Sequence, residues 1–121
     1  QIPSHIVGNC KEKLLKLKAE LLNRMIEAKH DYLARDKGTD EGDQTMAVLA
    51  ETEFLTGQER LRKQLIEVEF ALARIENGTF GICEETEEPI EPERLLAIPW
   101  TRGSVEGAEI QEILRRKYAQ K

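Results

Sequence analysis

From Cys10 to about Arg35 the chain contains neither glycine nor proline, and apolar residues recur at Leu14, Leu17, Leu21, Met25, Ala28 and Tyr32. Steps of three and four keep those positions on one helical face, with lysines elsewhere, so the spacing predicts a long amphipathic helix. A second stripe, Phe54, Gln58, Leu61, Leu65, Val68, Leu72 and Ile75, alternates steps of four and three up to Asn77. It reads as a heptad seam interrupted once, at Gln58. Between the stripes lies DKGTDEGD, residues 36–43, with two glycines, four acids and nothing apolar to bury. That is turn chemistry.

Two apolar-striped helices joined by a short polar turn bury their stripes most simply against each other, as an antiparallel hairpin. At ~1.5 Å per residue such an arm extends roughly 40–50 Å. Gly57 lies inside the second helix and weakens it by about 1 kcal/mol relative to Ala. Asn77-Gly78 supplies a C-cap signal. Beyond it the character changes, because Gly81, Pro89, Pro92, Pro99 and Gly103 punctuate residues 79–105 and predict a compact non-helical module. From about Val105 to Tyr118 a helical pattern returns through Ile110, Ile113, Leu114 and Tyr118. Glu106 and Glu109 near its start and Arg115, Arg116 and Lys117 near its end suit the helix dipole. The expected fold is mainly all-α: a long antiparallel two-helix coiled-coil hairpin over residues 10–77, with an acidic tip at 36–45. A lead-in at 1–9 packs on a small globular head at 78–121, which ends in a short C-terminal helix.

Composition narrows the function classes. Of 121 residues, 34% are charged and only 5% aromatic, which favours narrow helical stripes over a thick core. The formal net charge of -5 opposes non-specific binding to nucleic acid, and the densest basic cluster, Arg115–Lys117, spans a single helical turn. No apolar run approaches the ~20 residues that span a bilayer, and QIPSHIVGNC lacks the features of a signal peptide. Two cysteines, Cys10 and Cys83, do not make a disulfide framework. The expectation is a cytoplasmic protein with free thiols, without membrane attachment.

The segment IENGTFGICEETEEPIEPERLLAIP, residues 75–99, resembles the joint between arm and head in the DksA/TraR family of bacterial RNA polymerase regulators. The family pattern is Gly-x-(Tyr/Phe)-Gly-x-Cys followed by (Pro)-Ile-x-x-x-Arg-Leu-x-Ala-x-Pro. Gly78, Phe80, Gly81, Cys83, Pro89, Ile90, Arg94, Leu95, Ala97 and Pro99 match it. The family's tip pattern, Asp-x-x-Asp-x-Ala, is met by Asp40, Asp43 and Thr45, with Thr in the place of Ala. The separation of the tip from Cys83 fits without gaps, so the resemblance covers most of the chain.

The departures from the family carry as much information. The family's four zinc-binding cysteines map onto Cys83, Thr86, Ser104 and Gly107, and one sulfur remains. Structural zinc takes four N, S or O ligands, and these replacements do not supply them. The head is therefore expected to lack zinc, held instead by Ile90, Leu95, Leu96, Ile98 and Trp100; the alternative is a rebuilt site using Cys10, His5 or Glu side chains. Family members that respond to guanosine tetraphosphate (ppGpp) carry basic residues where this chain has Glu67, Ile98 and Ala108. An anionic tetraphosphate gains affinity from such cations, so ppGpp dependence through that joint site is not expected.

What the resemblance implies is a non-enzymatic transcription regulator whose arm enters the secondary channel of RNA polymerase. The tip residues Asp40, Glu41, Asp43 and Thr45 would then approach the catalytic centre and alter open-complex stability. The carboxylates can contact polymerase groups or perturb the water shell of its magnesium. Equally, Asp40 and Asp43 can be an ordinary solvated turn that caps the second helix. Arg60, Arg62 and Lys63 can dock the arm on an acidic polymerase surface, or form a solvated face with Glu59 and Glu67 as intrahelical partners. A transcript-cleavage factor also uses an acidic coiled-coil tip, to hold a second magnesium and activate water; an adaptor coiled coil with another partner is the third reading. His5 and His30 are surface or packing residues. Both thiols are read as buried and inert, with redox-sensitive thiols as the alternative, and Trp100 is read as core or as a half-exposed anchor. A monomer without direct sequence-specific DNA binding completes the expectation.

Overall fold

The computed structural model describes residues 2–35 and 42–119, with side chains from residue 44 in the second stretch. The described residues form four helices: α1 (Ser4–Ala34), α2 (Gly42–Asn77), α3 (Pro92–Ala97) and α4 (Val105–Ala119). The protein is all-α, and the extended pairing among the described residues is a single antiparallel bridge between Ile82 and Pro89. No described helix is long and apolar enough to cross a membrane. The chain divides into two compact units, residues 17–66 and residues 1–16 with 67–121.

The unit of residues 17–66 is an antiparallel helix pair. The ring of Tyr32 in α1 stacks on Phe54 in α2, 4.4 Å between centroids and 8° from parallel. Seven residues earlier in α1, the carbonyl of Met25 accepts a hydrogen bond from Gln58 Nε2 at 3.0 Å. Going down one helix means going up the other, which fixes the antiparallel sense. Leu21 is fully buried here, whereas Leu17, Met25, Ala28, Phe54, Leu61 and Leu65 are half-buried. A two-helix seam covers a stripe but leaves its flanks open to water.

In the other unit α1 begins earlier than the periodicity predicts. Ser4–Asn9 is helical rather than a lead-in, because the carbonyl of Pro3 accepts bonds from the amides of Ile6 and Val7 at 3.1 and 3.2 Å. The apolar stripe runs through Ile6, Cys10 and Leu14, all buried, a spacing of four that outweighs Gly8 and Asn9 as poor helix formers. Asn77-Gly78 ends α2 as expected. Gly78 takes a φ of 77°, with Thr79 N–H bonding the Arg74 carbonyl and Gly78 N–H that of Ile75, the paired bonds of a left-handed glycine cap.

The segment expected to be non-helical contains α3. Pro92 opens it at a position where the missing N–H is no loss, and Leu95 is its fully buried residue. Side chains of α1 satisfy carbonyls of α3: Lys13 Nζ donates to Leu96 O at 2.8 Å and the Cys10 thiol to Leu95 O at 3.4 Å. The core here is Ile6, Cys10, Leu14, Val68, Ala71, Phe80, Cys83, Ile90 and Leu95. The expected minicore is thus corrected in part. Ile90 and Leu95 belong to it, Leu96 and Ile98 are half-buried, and Trp100 is 37% exposed. α4 starts at Val105, as the periodicity predicts.

Candidate functional site

Cys83, Thr86, Ser104 and Gly107 come together around one sulfur. Cys83 sits in a tight turn whose ends are tied by Cys83 N–H to the Glu88 carbonyl at 2.8 Å and Glu87 N–H to the Cys83 carbonyl at 2.9 Å. Cys83 Sγ is buried and accepts hydrogen bonds from Thr86 N–H and from the Ser104 hydroxyl, each at 3.5 Å. Ser104 precedes α4 and does a second task there: its Oγ accepts the Gly107 N–H at 3.0 Å, an N-cap that satisfies one of the helix's orphan amides. Gly107 has no side chain because there is no room for one. A Cβ on it would meet Cys83 Sγ closer than the 3.0 Å that real Cβ atoms keep.

Burial pushes the Cys83 thiol up, but the hydrogen bonds from Thr86 and Ser104 outweigh it and bring the thiol down to about 6. Hydrogen bonds to the charged form favour it, while the sulfur itself is buried, as the sequence leads one to expect. Cys10 behaves in the opposite way: burial raises it, with Lys13 pulling weakly the other way, and its thiol proton is used on the Leu95 carbonyl.

Zinc does not fit these residues. One thiolate, one hydroxyl already committed to Cys83 and the Gly107 amide, a threonine and a glycine are not a tetrahedral N/S set, and Cys83 Sγ itself occupies the space a side chain at residue 107 would need. Among the described residues no group of three or more His, Cys, Asp or Glu side chains is placed to hold a metal ion, so no site rebuilt from His5 or Cys10 is found among them.

Beside this knot a cleft of about 720 Å³ opens, and its wall includes Glu67, Ile98 and Ala108 together with Arg94, Arg102 and Arg115. Arg102 grips Glu67 through Nε–Oε1 at 2.7 Å and a second nitrogen to Oε2 at 3.0 Å, and approaches Glu84 at 3.5 Å. The hydrogen bond from Arg102 holds the Glu67 carboxyl below its usual range against the opposing effect of partial burial. Glu67 therefore pairs with Arg102 rather than with Arg60, Arg62 or Lys63 of its own helix. Its long-range pairing with a loop residue carries no signal in sequence spacing. Nor does the placement of Arg74, which donates to the carbonyls of Trp100 and Thr101.

The remaining predicted residues lie elsewhere. Asp40 and Glu41 are outside the described residues, and of Asp43 only its place near the start of α2 is described. Thr45 is exposed in that helix. Arg60, Arg62 and Lys63 are exposed in the helix pair. Arg62 is bonded to Glu59 at 3.2 Å, and Arg60 and Lys63 border a groove with Leu55 and Thr56. His5 and His30 are exposed and separate.

A paired-helix unit and a compact unit built round the Cys83 knuckle define a helical protein of two units, the second finger-like. The profile of the prokaryotic dksA/traR C4-type zinc finger matches residues 78–110. The RNA polymerase-binding transcription factor DksA of Caulobacter vibrioides is 36% identical over 103 residues, covering 84% of this chain and 72% of that protein. An uncharacterized protein of Aquifex aeolicus is 35% identical over 108 residues, 86% of this chain and 74% of its own. Among solved structures, transcription factor DksA2 from Pseudomonas aeruginosa superposes with a TM-score of 0.80 at 31% identity, covering 88% of this chain and 83% of that one. The chain belongs to the DksA/TraR family.

Proposed function

We propose that this protein is a transcription regulator that binds RNA polymerase directly through its secondary channel, without zinc and without ppGpp at the family's usual joint site. The observation that carries the reading is the likeness to DksA, which spans 84% of the chain rather than the finger alone. Asp40, Glu41, Asp43 and Thr45 are the residues assigned to the polymerase active centre, where added carboxylates change the local field and the hydration of a bound cation. Arg60 and Lys63, exposed beside a groove that Leu55, Thr56 and Glu59 complete, are assigned to docking, with Arg62 in support. Such a protein acts on open-complex stability and makes or breaks no bond itself.

For zinc, the support is the chemistry of the knuckle, in which hydrogen bonds to one sulfur stand where metal–thiolate bonds would. For ppGpp, it is the acid and two apolar residues at Glu67, Ile98 and Ala108, which offer a tetraphosphate none of the cations it needs. The test is open-complex half-life with purified RNA polymerase, together with a pull-down. The wild-type protein is expected to bind polymerase and change the half-life, and ppGpp to leave that effect unaltered. Asp40→Asn with Asp43→Asn is expected to abolish the change in half-life while melting temperature and pull-down persist. Failure to associate with polymerase, or efficient RNA cleavage in a backtracked complex, overturns the reading.

A further inference from the structure

The cleft of the compact unit holds three guanidinium groups against the carboxylates of Glu67, Glu84, Glu85 and Glu112. Two of the three have local duties, since Arg94 Nε donates to the Gly103 carbonyl at 2.8 Å and Arg115 pairs with Glu112 at 3.1 Å. Arg102 is different. Its guanidinium lies 5.1 Å over the Phe70 ring and presents a planar fork that Glu67 fills with both carboxylate oxygens. A fork of this kind pairs with phosphate in the same bidentate manner as with carboxylate. We propose that Glu67 is a built-in anion for this cleft: its carboxylate occupies the Arg102 fork and keeps phosphate-bearing ligands out.

This deepens the reading that the protein works without ppGpp, and rests on it. It adds that Arg102 is already engaged, in addition to cations being absent at the three family positions. A phosphate entering the cleft would have to displace a carboxylate tethered to α2 and then face Glu84, which approaches the same guanidinium. With four acids against three guanidinium groups in the wall, the local field also disfavours a second anion.

The test needs no polymerase, so its failure is distinct from failure of the functional reading. Inorganic pyrophosphate is titrated calorimetrically into the full chain, with sulfate as the control for ionic strength. The wild type is expected to show no pyrophosphate binding beyond the sulfate control. Glu67→Gln and Glu67→Ala are expected to bind pyrophosphate at least tenfold more tightly than wild type, and adding Arg102→Ala to either is expected to remove the gain. Pyrophosphate should also raise the melting temperature of Glu67→Gln and leave that of the wild type unchanged. If Glu67→Gln is folded but gains no affinity, the pair only staples the loop to α2 and the proposal fails. It fails equally if the wild type binds pyrophosphate as tightly as the variants, or if the gain survives loss of Arg102.

Discussion

The stripe that runs along α1 meets two different fates. Ile6, Cys10 and Leu14, in the compact unit, are buried beneath Val68, Ala71, Phe80, Cys83, Ile90 and Leu95. Leu17, Met25, Ala28 and Tyr32 continue the same stripe in the helix pair and are only half-buried; among the described residues of 17–66, Leu21 is the one buried hydrophobic residue. The difference is the number of neighbours a helix face can meet. In the compact unit α3 bonds against α1 and shares a core with its stripe, and side chains of Lys13, Arg74, Arg94 and Ser104 bond loop and helix-end backbone groups. In the helix pair a second helix is the only cover among the described residues, so stability there rests on a narrow seam and on helix propensity. One unit should therefore answer to volume and hydrogen bonding, the other to backbone preference.

Gly107→Ala tests the first half of that contrast and carries the largest expected effect. A Cβ at residue 107 falls on Cys83 Sγ, with the Glu85 Cβ and Ser104 Oγ each 3.5 Å away, so neither sulfur nor helix can give way without breaking the Ser104 bonds. Overpacking of this kind costs about 3 kcal/mol, which lowers the melting temperature by roughly 10 °C or more in a domain of this size. Amide exchange should show the loss in residues 80–110. A variant as stable as the wild type would mean that the knuckle is slack and its glycine incidental.

The Cys83 sulfur gives the next effect, and pH reads it. The thiol titrates near 6 in the folded protein against an ordinary value of 9.0. Between those values the unfolded chain binds the proton that the folded chain has released, so stability rises with pH. The slope approaches about 1.4 kcal/mol per unit in mid-window, and the contribution is lost as pH falls through 6. Cys10, held above its ordinary value of 9.0 by burial, contributes with the opposite sign, and only toward the upper end of this window. Melting temperatures at about pH 6.5 and 8.5 should therefore diverge more for the wild type than for Cys83→Ser. Parallel shifts would remove the thiolate from the account.

How much of this was legible in the sequence differs between the units for the same reason. Leu14, Leu21, Val68 and their stripe-mates, the Asn77-Gly78 cap and the start of α4 are local patterns, and the structure follows them. The gathering of Cys83, Thr86, Ser104 and Gly107 could be traced only through the family's spacing, since nothing within ten residues of Cys83 points to Ser104. The Glu67–Arg102 pair, Arg74 on the 100–101 carbonyls, the exposure of Trp100 and the burial of Ile6 all depend on which distant segments meet. Local periodicity does not encode that. Ser104 is the exception with a local signal: directly before the α4 pattern, it is an N-cap residue in the expected place.

Gly57→Ala tests the other half of the contrast and is the smallest of these effects. Gly57 lies inside α2, half-buried, and a Cβ there meets nothing within 4 Å. The substitution therefore introduces no clash, and it removes the conformational freedom that a glycine retains in the unfolded chain. A gain of about 1 kcal/mol follows from helix propensity alone, opposite in sign to the same chemical change at Gly107. Next to it Gln58 leaves a buried Oε1 without a protein partner, so this part of the seam is where added backbone order has most to offset. Protection of the amides of residues 50–66 should rise while that of 80–110 stays as it was. If Gly57→Ala instead destabilises, the space beside it is needed by something the seam must admit, and the helix pair is governed by packing after all.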